Sequence, residues 1–268
     1  MAYKTIILEK KNGVATLFLN RPETLNAWNS EMTEEAVDVI NKIGKDEDTR
    51  VLIVTGAGRG FSSGADVRQE LAKVAEGASG TIFERIIQGK PSIVTIALQL
   101  RRMDKPVIGA INGIAAGGGL CIALACDLRI ASERAQFSMA FILRGLIPDC
   151  GGTFFLPKLV GSARACELIF TGDIIDAREA ERIGLVNKVV PHEELMKATE
   201  ELANRFVKRP SIALRYAKRA IYKGLAEGDL PSHLDYEVSL NRMCMDTEDF
   251  KEGVRAFLEK REPIFKGR

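Results

Sequence analysis

The sequence lacks the residues from which several kinds of site are built. Its 268 residues include two histidines and five cysteines, with no CxxC pair, so no metal site is predicted. Lysine and arginine (38) nearly balance aspartate and glutamate (36), and basic residues do not cluster with aromatic ones, which argues against a nucleic-acid partner. No run of about 18 apolar residues occurs, so no membrane-spanning helix is predicted.

Two further absences concern the compartment. The amino-terminal stretch is charged early and then alternates as a strand does, without the uninterrupted apolar segment of a signal peptide. The five cysteines are odd in number and not closely paired, which favours reduced thiols over disulfides. We therefore expect a cytoplasmic protein with no membrane partner.

Strand and helix patterns alternate over the first two thirds of the chain. Asn12-Gly13 predicts the turn of an amino-terminal hairpin. A helix is expected from just after Ser30 to about Lys45, and residues 50–58 read as a buried strand that ends in glycines. The stretch from Leu71 to Ser92 is predicted to be mainly helical. Such alternation indicates an α/β fold with a parallel sheet system.

The last third differs in pattern. A helix is predicted to begin near Gly151, and from Glu193 onwards the sequence is almost wholly helical, with interruptions at Pro210 and Pro231. We therefore divide the chain into an α/β core, residues 1–192, and a helical carboxyl-terminal region, residues 193–268.

Two glycine-containing turns could carry chemistry. Gly117-Gly118-Gly119 lies between an apolar strand and an apolar helix, and Ser62-Ser63-Gly64-Ala65-Asp66 also ends a strand. Turns of this kind can point amide N–H groups at an anion or a developing oxyanion, or they can simply allow tight strand–helix packing. The first turn fits neither a GxGxxG fingerprint nor a Walker loop.

A single acid stands in the apolar segment MAFILRGLIPDCGGT, residues 139–153. Asp149 lies between a proline and two glycines, and its apolar neighbours suggest a site shielded from water. Taken alone, the residue is either a helix cap or a catalytic carboxylate.

The chain resembles the crotonase (enoyl-CoA hydratase/isomerase) superfamily over essentially its whole length. The resemblance implies a spiral of ββα units with a helical carboxyl-terminal region that builds homotrimers, often paired into hexamers. It rests on five segments in order: NRPETLNAWN, VLIVTGAGRGFSSGADV, KPVIGAINGIAAGGGLCIALACDLRIAS, GLIPDCGGT and GLVNKVV.

The resemblance also implies a site. The substrate would be an acyl-CoA thioester whose carbonyl oxygen lies between the amides of Ala65 and Gly118, and coenzyme A would be part of the substrate, with no separate cofactor. Ala27 and Ala65 would contact coenzyme A through their backbones, with Lys260 near its phosphates and Phe141 against the acyl group. Arg21 is a weaker candidate for a basic side chain that binds coenzyme A.

Departures from the family pattern decide the predicted reaction. Hydratases of the family carry two glutamates, and the corresponding positions here hold Cys121 and Phe141. Asp149 stands where some family isomerases have a catalytic aspartate, and its segment most resembles the 1,2-epoxyphenylacetyl-CoA isomerases of phenylacetate breakdown. The sequence therefore predicts an acyl-CoA isomerase that uses Asp149 as its acid and base. The alternatives are an enoyl-CoA hydratase in the broad sense, or a catalytically silent coenzyme A- or RNA-binding member.

Several other residues have two interpretations. Met139, Phe141, Ile142 and Phe154 could form the apolar surroundings of Asp149 or be ordinary core. Cys121 could be a nucleophile, although a buried inert thiol is the preferred interpretation. Structural roles are expected for the acids Asp66, as a helix cap, and Asp127, at a helix end. No role is assigned to His192 or His233.

Overall fold

A computed structural model describes residues 3–77, 84, 87–226 and 228–268. Strands in this part of the chain form two sheets. They are β1 (Ile6–Lys11), β2 (Val14–Leu19), β3 (Val51–Gly56), β4 (Gly60–Ser62), β5 (Val107–Ile111), β6 (Ile114–Ala116), β7 (Leu128–Ser132), β8 (Gln136–Ser138), β9 (Ile174–Asp176) and β10 (Lys188–Val190).

Helices connect the strands and make up most of the carboxyl-terminal part. They are α1 (Ser30–Lys45), α2 (Ala72–Ala75), α3 (Ile93–Arg102), α4 (Gly118–Ala125), α5 (Gly152–Val160), α6 (Ser162–Thr171), α7 (Ala177–Arg182), α8 (Leu195–Val207), α9 (Ser211–Gly224), α10 (Leu230–Met245) and α11 (Glu248–Leu258). A short π-helix, Val67–Leu71, precedes α2.

The two sheets are built by successive pairs of strands. The six-stranded sheet has the order β1-β2-β3-β5-β7-β10, and the four-stranded sheet has the order β4-β6-β8-β9. The β1–β2 hairpin and the β8–β9 pair are antiparallel, and the other neighbours are parallel. Each of the pairs β3–β4, β5–β6 and β7–β8 gives its first strand to the large sheet and its second to the small one, and a helix follows. The predicted ββα spiral is therefore confirmed.

Buried elements position the glycine turns. All six residues of β3 are buried, as a strand covered on both faces requires. All eight residues of α4, GGLCIALA, are buried as well, because a helix that is apolar on every side has no face to present to water. The turn at residues 117–119 leads into this buried helix, and the turn at residues 62–66 follows the buried strand β4.

The observed boundaries correct some of the sequence predictions. The helix α1 begins at Ser30, one residue earlier than expected, because the side chain of Asn29 caps it by accepting a hydrogen bond from the Met32 amide. Within the stretch predicted as helical from Leu71 to Ser92, α2 is observed, and residues 78–83, 85 and 86 lie outside the described residues. Pro231 does not interrupt a helix but lies in the first turn of α10, where its missing N–H costs nothing.

The carboxyl-terminal helices differ in how they contact the core. The helix α8 packs on the large sheet, where Leu195 and Ala203 join a cluster with Val14, Val51 and Ile108. The helix α9 is attached through polar contacts described below, and α10 and α11 follow it. No helix in the described part of the chain is both long and apolar enough to span a bilayer.

Candidate active site

One cavity of about 110 Å³ collects residues from four distant parts of the chain. The lining comes from the turn after β4, the start of α3, the turn before α4, and the segment between β8 and α5. The residues are Ser63, Gly64, Ala65, Val67, Leu71, Ile93, Val94, Ala116, Gly117, Gly118, Ala140, Phe141, Arg144, Leu146, Asp149 and Cys150. Four residues that the sequence predicted for the site therefore lie around one space: Ala65, Gly118, Phe141 and Asp149.

The turn that carries Ala65 is held by the loop at residues 24–28. A parallel bridge pairs Trp28 with Ala65, in which the Trp28 amide donates to the Gly64 carbonyl and the Asp66 amide donates to the Trp28 carbonyl, both at 2.8 Å. The Ser63 amide and hydroxyl also donate to loop carbonyls. The segment NRPETLNAWN therefore supplies the backbone partners that fix this turn.

A buried ion pair stabilises the same loop and turn. Arg21 Nη2 lies 3.0 Å from Asp66 Oδ2, and both side chains are less than one tenth exposed. Arg21 Nη1 also donates to the Ala27 carbonyl at 2.6 Å. Asp66 caps the helix that starts at Val67 by accepting from the Gln69 amide, which confirms its predicted role. These contacts show that the Arg21 side chain stabilises the turn.

The second turn depends on close backbone approach. Gly117 has φ +51° and donates its amide to the Ser138 carbonyl. A Cβ atom on Gly119 would lie 2.3 Å from the Ser62 carbonyl oxygen, and one on Gly64 would lie 2.9 Å from the Ala116 carbonyl oxygen. Side chains at these positions would push the two turns apart, so glycine is required for their contact.

Two amides at this contact have no partner. Among the described residues, neither the Ala65 N–H nor the Gly118 N–H donates a hydrogen bond, although Gly118 is buried and Ala65 is half-buried. Gly118 is the first residue of α4, whose amino-terminal end carries a partial positive charge. Unpaired amides of this kind are suited to donate hydrogen bonds to an oxygen that gains negative charge.

Asp149 lines the same cavity and is not a helix cap. The residue at the start of α5 is Gly151, with φ +86°, and no side chain caps this helix. Asp149 is exposed rather than shielded as the sequence suggested, so its carboxylate is accessible to a molecule in the cavity. It is the one carboxylate among the described residues that line this space.

The two positions where family hydratases carry glutamate have no acid–base group. Phe141 is half-buried and lines the cavity. Cys121 is fully buried, and burial, with a smaller effect of the Asp149 charge, raises the pKa of its thiol to about 12. A thiol with that pKa stays protonated near neutrality, which fits an inert residue better than a nucleophile.

Of the four residues that could form the apolar surroundings of Asp149, Phe141 lines the cavity. Met139 is buried in the core behind the cavity, and Ile142 and Phe154 are exposed by 40% and 51%. None of these three residues lines the cavity; Ile142 lies on a short 3₁₀ helix, Ile142–Arg144, and Phe154 lies on α5. The apolar wall comes instead from Val67, Leu71, Ile93, Val94 and Leu146.

Two predicted coenzyme A contacts lie outside the cavity lining. Ala27 is buried, and its amide and carbonyl are engaged with Thr24 and Arg21 within the chain. Lys260 is exposed in the tail after α11, with φ +55°. Both assignments remain predictions.

The remaining polar candidates have structural contacts. Asp127 accepts hydrogen bonds from the Val107 amide and the Tyr222 hydroxyl and pairs with Lys218 at 2.8 Å. His192 Nδ1 lies 2.9 Å from the Ser132 hydroxyl, and His233 pairs with Glu237 on α10. The described residues include no group of three or more His, Cys, Asp or Glu side chains arranged to hold a metal ion.

Sequence reasoning missed several features of the site. Arg144 lines the cavity beside Phe141, and Cys150 hydrogen bonds to Asp149. A second cavity of about 870 Å³ adjoins the first and shares Val94 and Cys150 with it. The neighbouring positions of Cys150 and Asp149 in the chain were the available signal for their contact.

Comparison with known proteins gives consistent matches over the whole chain. Residues 9–268 match the family model described as enoyl-CoA hydratase/isomerase. The chain is 38% identical to the crotonyl-CoA hydratase of Syntrophomonas wolfei, covering 99% of each protein, and 38% identical to the 1,2-epoxyphenylacetyl-CoA isomerase of Escherichia coli, covering 98% of each. The crystal structure of an enoyl-CoA hydratase from Bacillus anthracis superposes with a TM-score of 0.89 at 36% identity, covering 99% of this chain and 100% of that one.

Proposed function

The chain belongs to the enoyl-CoA hydratase/isomerase family, and on that basis we propose that it is an acyl-CoA isomerase. The reaction moves a carbon–carbon double bond along the acyl group of a coenzyme A thioester, or opens a ring by the same movement of electrons. Asp149 transfers the proton, and the amides of Ala65 and Gly118 bind the thioester oxygen.

One observation carries this proposal. Among the described residues, a single carboxylate, Asp149, lines the cavity that also contains two amides without a hydrogen-bond partner, Ala65 N–H and Gly118 N–H. The arrangement supports proton transfer at carbons next to a polarised carbonyl, because the amides stabilise the enolate that forms when such a proton leaves. Loss of one such donor typically costs about 3 kcal/mol of transition-state stabilisation.

The proposed mechanism needs one acid–base group. Asp149 removes a proton from the acyl chain, and the negative charge moves to the thioester oxygen between Ala65 and Gly118. The carboxylic acid then returns the proton to another carbon of the same chain, and the enolate collapses to the shifted double bond. The acid leaves the cycle as the carboxylate that began it, so no further reactant is required.

Water addition is the competing reaction, and the names of the relatives do not decide between the two, since they include hydratases and an isomerase. Hydration requires one group to activate water and another to deliver a proton. Phe141 has no titratable group, and the Cys121 thiol, with its pKa raised by burial to about 12, is a poor base. These residues support isomerisation over hydration.

The function is tested by comparing two substrates under the same conditions. We expect rapid conversion of a 3-enoyl-CoA to the 2-enoyl-CoA, with deuterium incorporated from deuterated water, and little addition of water to crotonyl-CoA. Epoxyphenylacetyl-CoA belongs in the same mass-spectrometric assay, because one relative, 38% identical, is a 1,2-epoxyphenylacetyl-CoA isomerase. Efficient hydration of crotonyl-CoA without isomerisation would contradict the proposal and favour the hydratase alternative.

The same proposal includes assembly of identical chains. Helices α10 and α11 leave apolar side chains exposed, among them Leu230, Val238, Val254 and Phe257, and large exposed apolar areas mark association surfaces. We expect a homotrimer or a hexamer made of two trimers. Light scattering coupled to gel filtration tests this expectation, and a monomer at micromolar concentration would contradict it.

A further inference from the structure

The thiol of Cys150 contacts the proposed acid–base group directly. Cys150 Sγ donates a hydrogen bond to Asp149 Oδ1 at 3.0 Å. Cys150 is 5% exposed, whereas Asp149 is exposed. Within the described residues, this is the only hydrogen bond of the Asp149 side chain. The buried Cys150 thiol therefore restrains a carboxylate that has no other hydrogen-bond partner there.

The thiol remains protonated and can act as a donor. Burial raises the pKa of Cys150 well above its ordinary value, and the Cys121 thiol and the Asp149 carboxylate raise it further. A thiol is a weak donor to a neutral acceptor, but a charged acceptor strengthens such a bond. The contact is therefore a hydrogen bond from a neutral thiol to an anion.

The sulfur also lies near the turn that binds the thioester oxygen. A Cβ atom on Gly118 would be 3.9 Å from Cys150 Sγ, an ordinary van der Waals contact. Gly151, the next residue, holds the left-handed conformation from which α5 starts. Cys150 is thus fixed between the Gly118 turn on one side and the Asp149 carboxylate on the other.

We infer that Cys150 is a positioning residue for Asp149, an inference that rests on the proposed function. The thiol donates its hydrogen to Oδ1 and fixes the orientation of the carboxylate relative to the Gly118 amide. Oδ2 is then left to take the substrate proton. No group in the described part of the chain donates a hydrogen bond to Oδ2. This oxygen is therefore available for the substrate proton, as the inference requires.

A pair of substitutions separates donation from packing. Ser and Ala have nearly the same volume, so Cys150→Ser and Cys150→Ala leave similar space but differ in a hydroxyl donor. We expect Cys150→Ala to lower kcat about tenfold, with KM within about twofold, and Cys150→Ser to retain kcat within about threefold of wild type. Equal kcat values for the two variants would overturn the inference.

Cys126 offers the matched control. It is also fully buried, and its thiol donates to the Ile122 carbonyl, away from Asp149. Cys126→Ala and Cys126→Ser should both lower the melting temperature. The kcat values of these two variants should be equal. A Ser-to-Ala difference in kcat at Cys126 as large as that at Cys150 would mean that packing explains both, which would also overturn the inference.

Combining these changes with Asp149→Asn distinguishes the two proposals. If Asp149→Asn removes isomerisation, the proposed function holds, and Cys150→Ala in that background should change the residual rate by less than about twofold. If Asp149→Asn remains fully active, the proposed function fails and the inference fails with it. If only Asp149→Asn has an effect, the inference alone is overturned.

An infrared measurement does not depend on folding of the Cys150 variants. In a difference spectrum between wild type and Asp149→Ala, we expect one S–H stretching band to move to higher frequency when the carboxylate is removed. An unchanged S–H region in a folded Asp149→Ala protein would contradict the hydrogen bond.

Discussion

A Cβ atom on Gly64 would lie 3.2 Å from the amide nitrogen of Gly118, so two turns separated by more than fifty residues of sequence are in direct backbone contact. The contact sets the relative positions of the Ala65 and Gly118 amides. In the proposed mechanism both amides bind one oxygen, so the geometry of this contact would determine how well the enolate is stabilised.

We predict that Gly64→Ala impairs turnover through this contact. The added methyl group would clash with the Ala116 carbonyl and displace the Gly118 amide, and φ at Gly64 is +93°, which disfavours any side chain. We expect kcat for isomerisation to fall by about tenfold or more, with the free energy of unfolding lowered by about 2 kcal/mol. Steady-state kinetics and urea denaturation measure the two effects.

Gly77→Ala is the control for the backbone penalty. Gly77 also has a positive φ, +68°, but an added Cβ meets no atom within 4 Å. It should lose about 1 kcal/mol of stability and keep kcat. Equal loss of kcat in the two variants would mean that reduced stability, and not displacement of the amide, explains the effect at Gly64.

A second prediction concerns the attachment of α9 to the core. Lys218 and Asp127 pair at 2.8 Å with side chains only 9% and 15% exposed, and Lys218 also donates to the carbonyls of Leu100 and Lys105. Replacing Lys218 with Met leaves the Asp127 carboxylate largely buried without its cation. We expect the free energy of unfolding to fall by about 3 kcal/mol, measured by urea denaturation.

The neighbouring residue provides the comparison. Arg219 pairs with Asp104 at 2.7 Å, but the two side chains are 49% and 31% exposed. Exposed pairs contribute little because water screens them, so Arg219→Met should cost less than about 1 kcal/mol. If both variants lost the same stability, burial would not be what makes the Lys218 pair important.

A third prediction follows from the buried thiols. Burial raises the pKa values of Cys121 and Cys126 to about 12, so at pH 8 only about one molecule in ten thousand carries either thiolate, the form that reacts. Cys166 is exposed. Iodoacetamide at pH 8 should therefore label Cys166 long before Cys121 or Cys126.

Peptide mass spectrometry reads the order of labelling. Labelling of the two buried thiols should increase as the pH rises toward 12, provided that the protein stays folded. In concentrated urea all five cysteines should react, which serves as the control for detection. Native labelling of Cys121 at the rate of Cys166 would show a reactive thiol in the site and would count against its inert role.

The parts of the fold that were predictable have strong local signals. Asn12-Gly13 marks the β1–β2 turn, as predicted. The short strands β4 and β6 were not anticipated, because three residues next to glycines contain too little periodicity. Their pairing in the second sheet depends on long-range contacts that a local pattern does not encode.

The site was predictable where the family motif constrains the backbone. The glycine turns and the lone acid pointed to these segments, and the family resemblance assigned Ala65, Gly118 and Asp149 within them; all three line one cavity. The apolar wall from Ile93 and Val94 was missed, since nothing in the sequence indicates which helix packs beside those turns. The Arg21–Asp66 pair was also missed, because a local loop sequence does not reveal a partner forty-five residues away.

The central claim is that Asp149 carries the proton between carbons of the acyl group. The most direct measurement uses the Asp149→Asn variant with a 3-enoyl-CoA in deuterated water. Mass spectrometry measures deuterium incorporation and isomerisation in the same reaction. We predict that the variant folds, binds the acyl-CoA with an affinity close to that of wild type, and exchanges and isomerises at least about a thousandfold more slowly. Exchange and isomerisation at the wild-type rate would contradict the account.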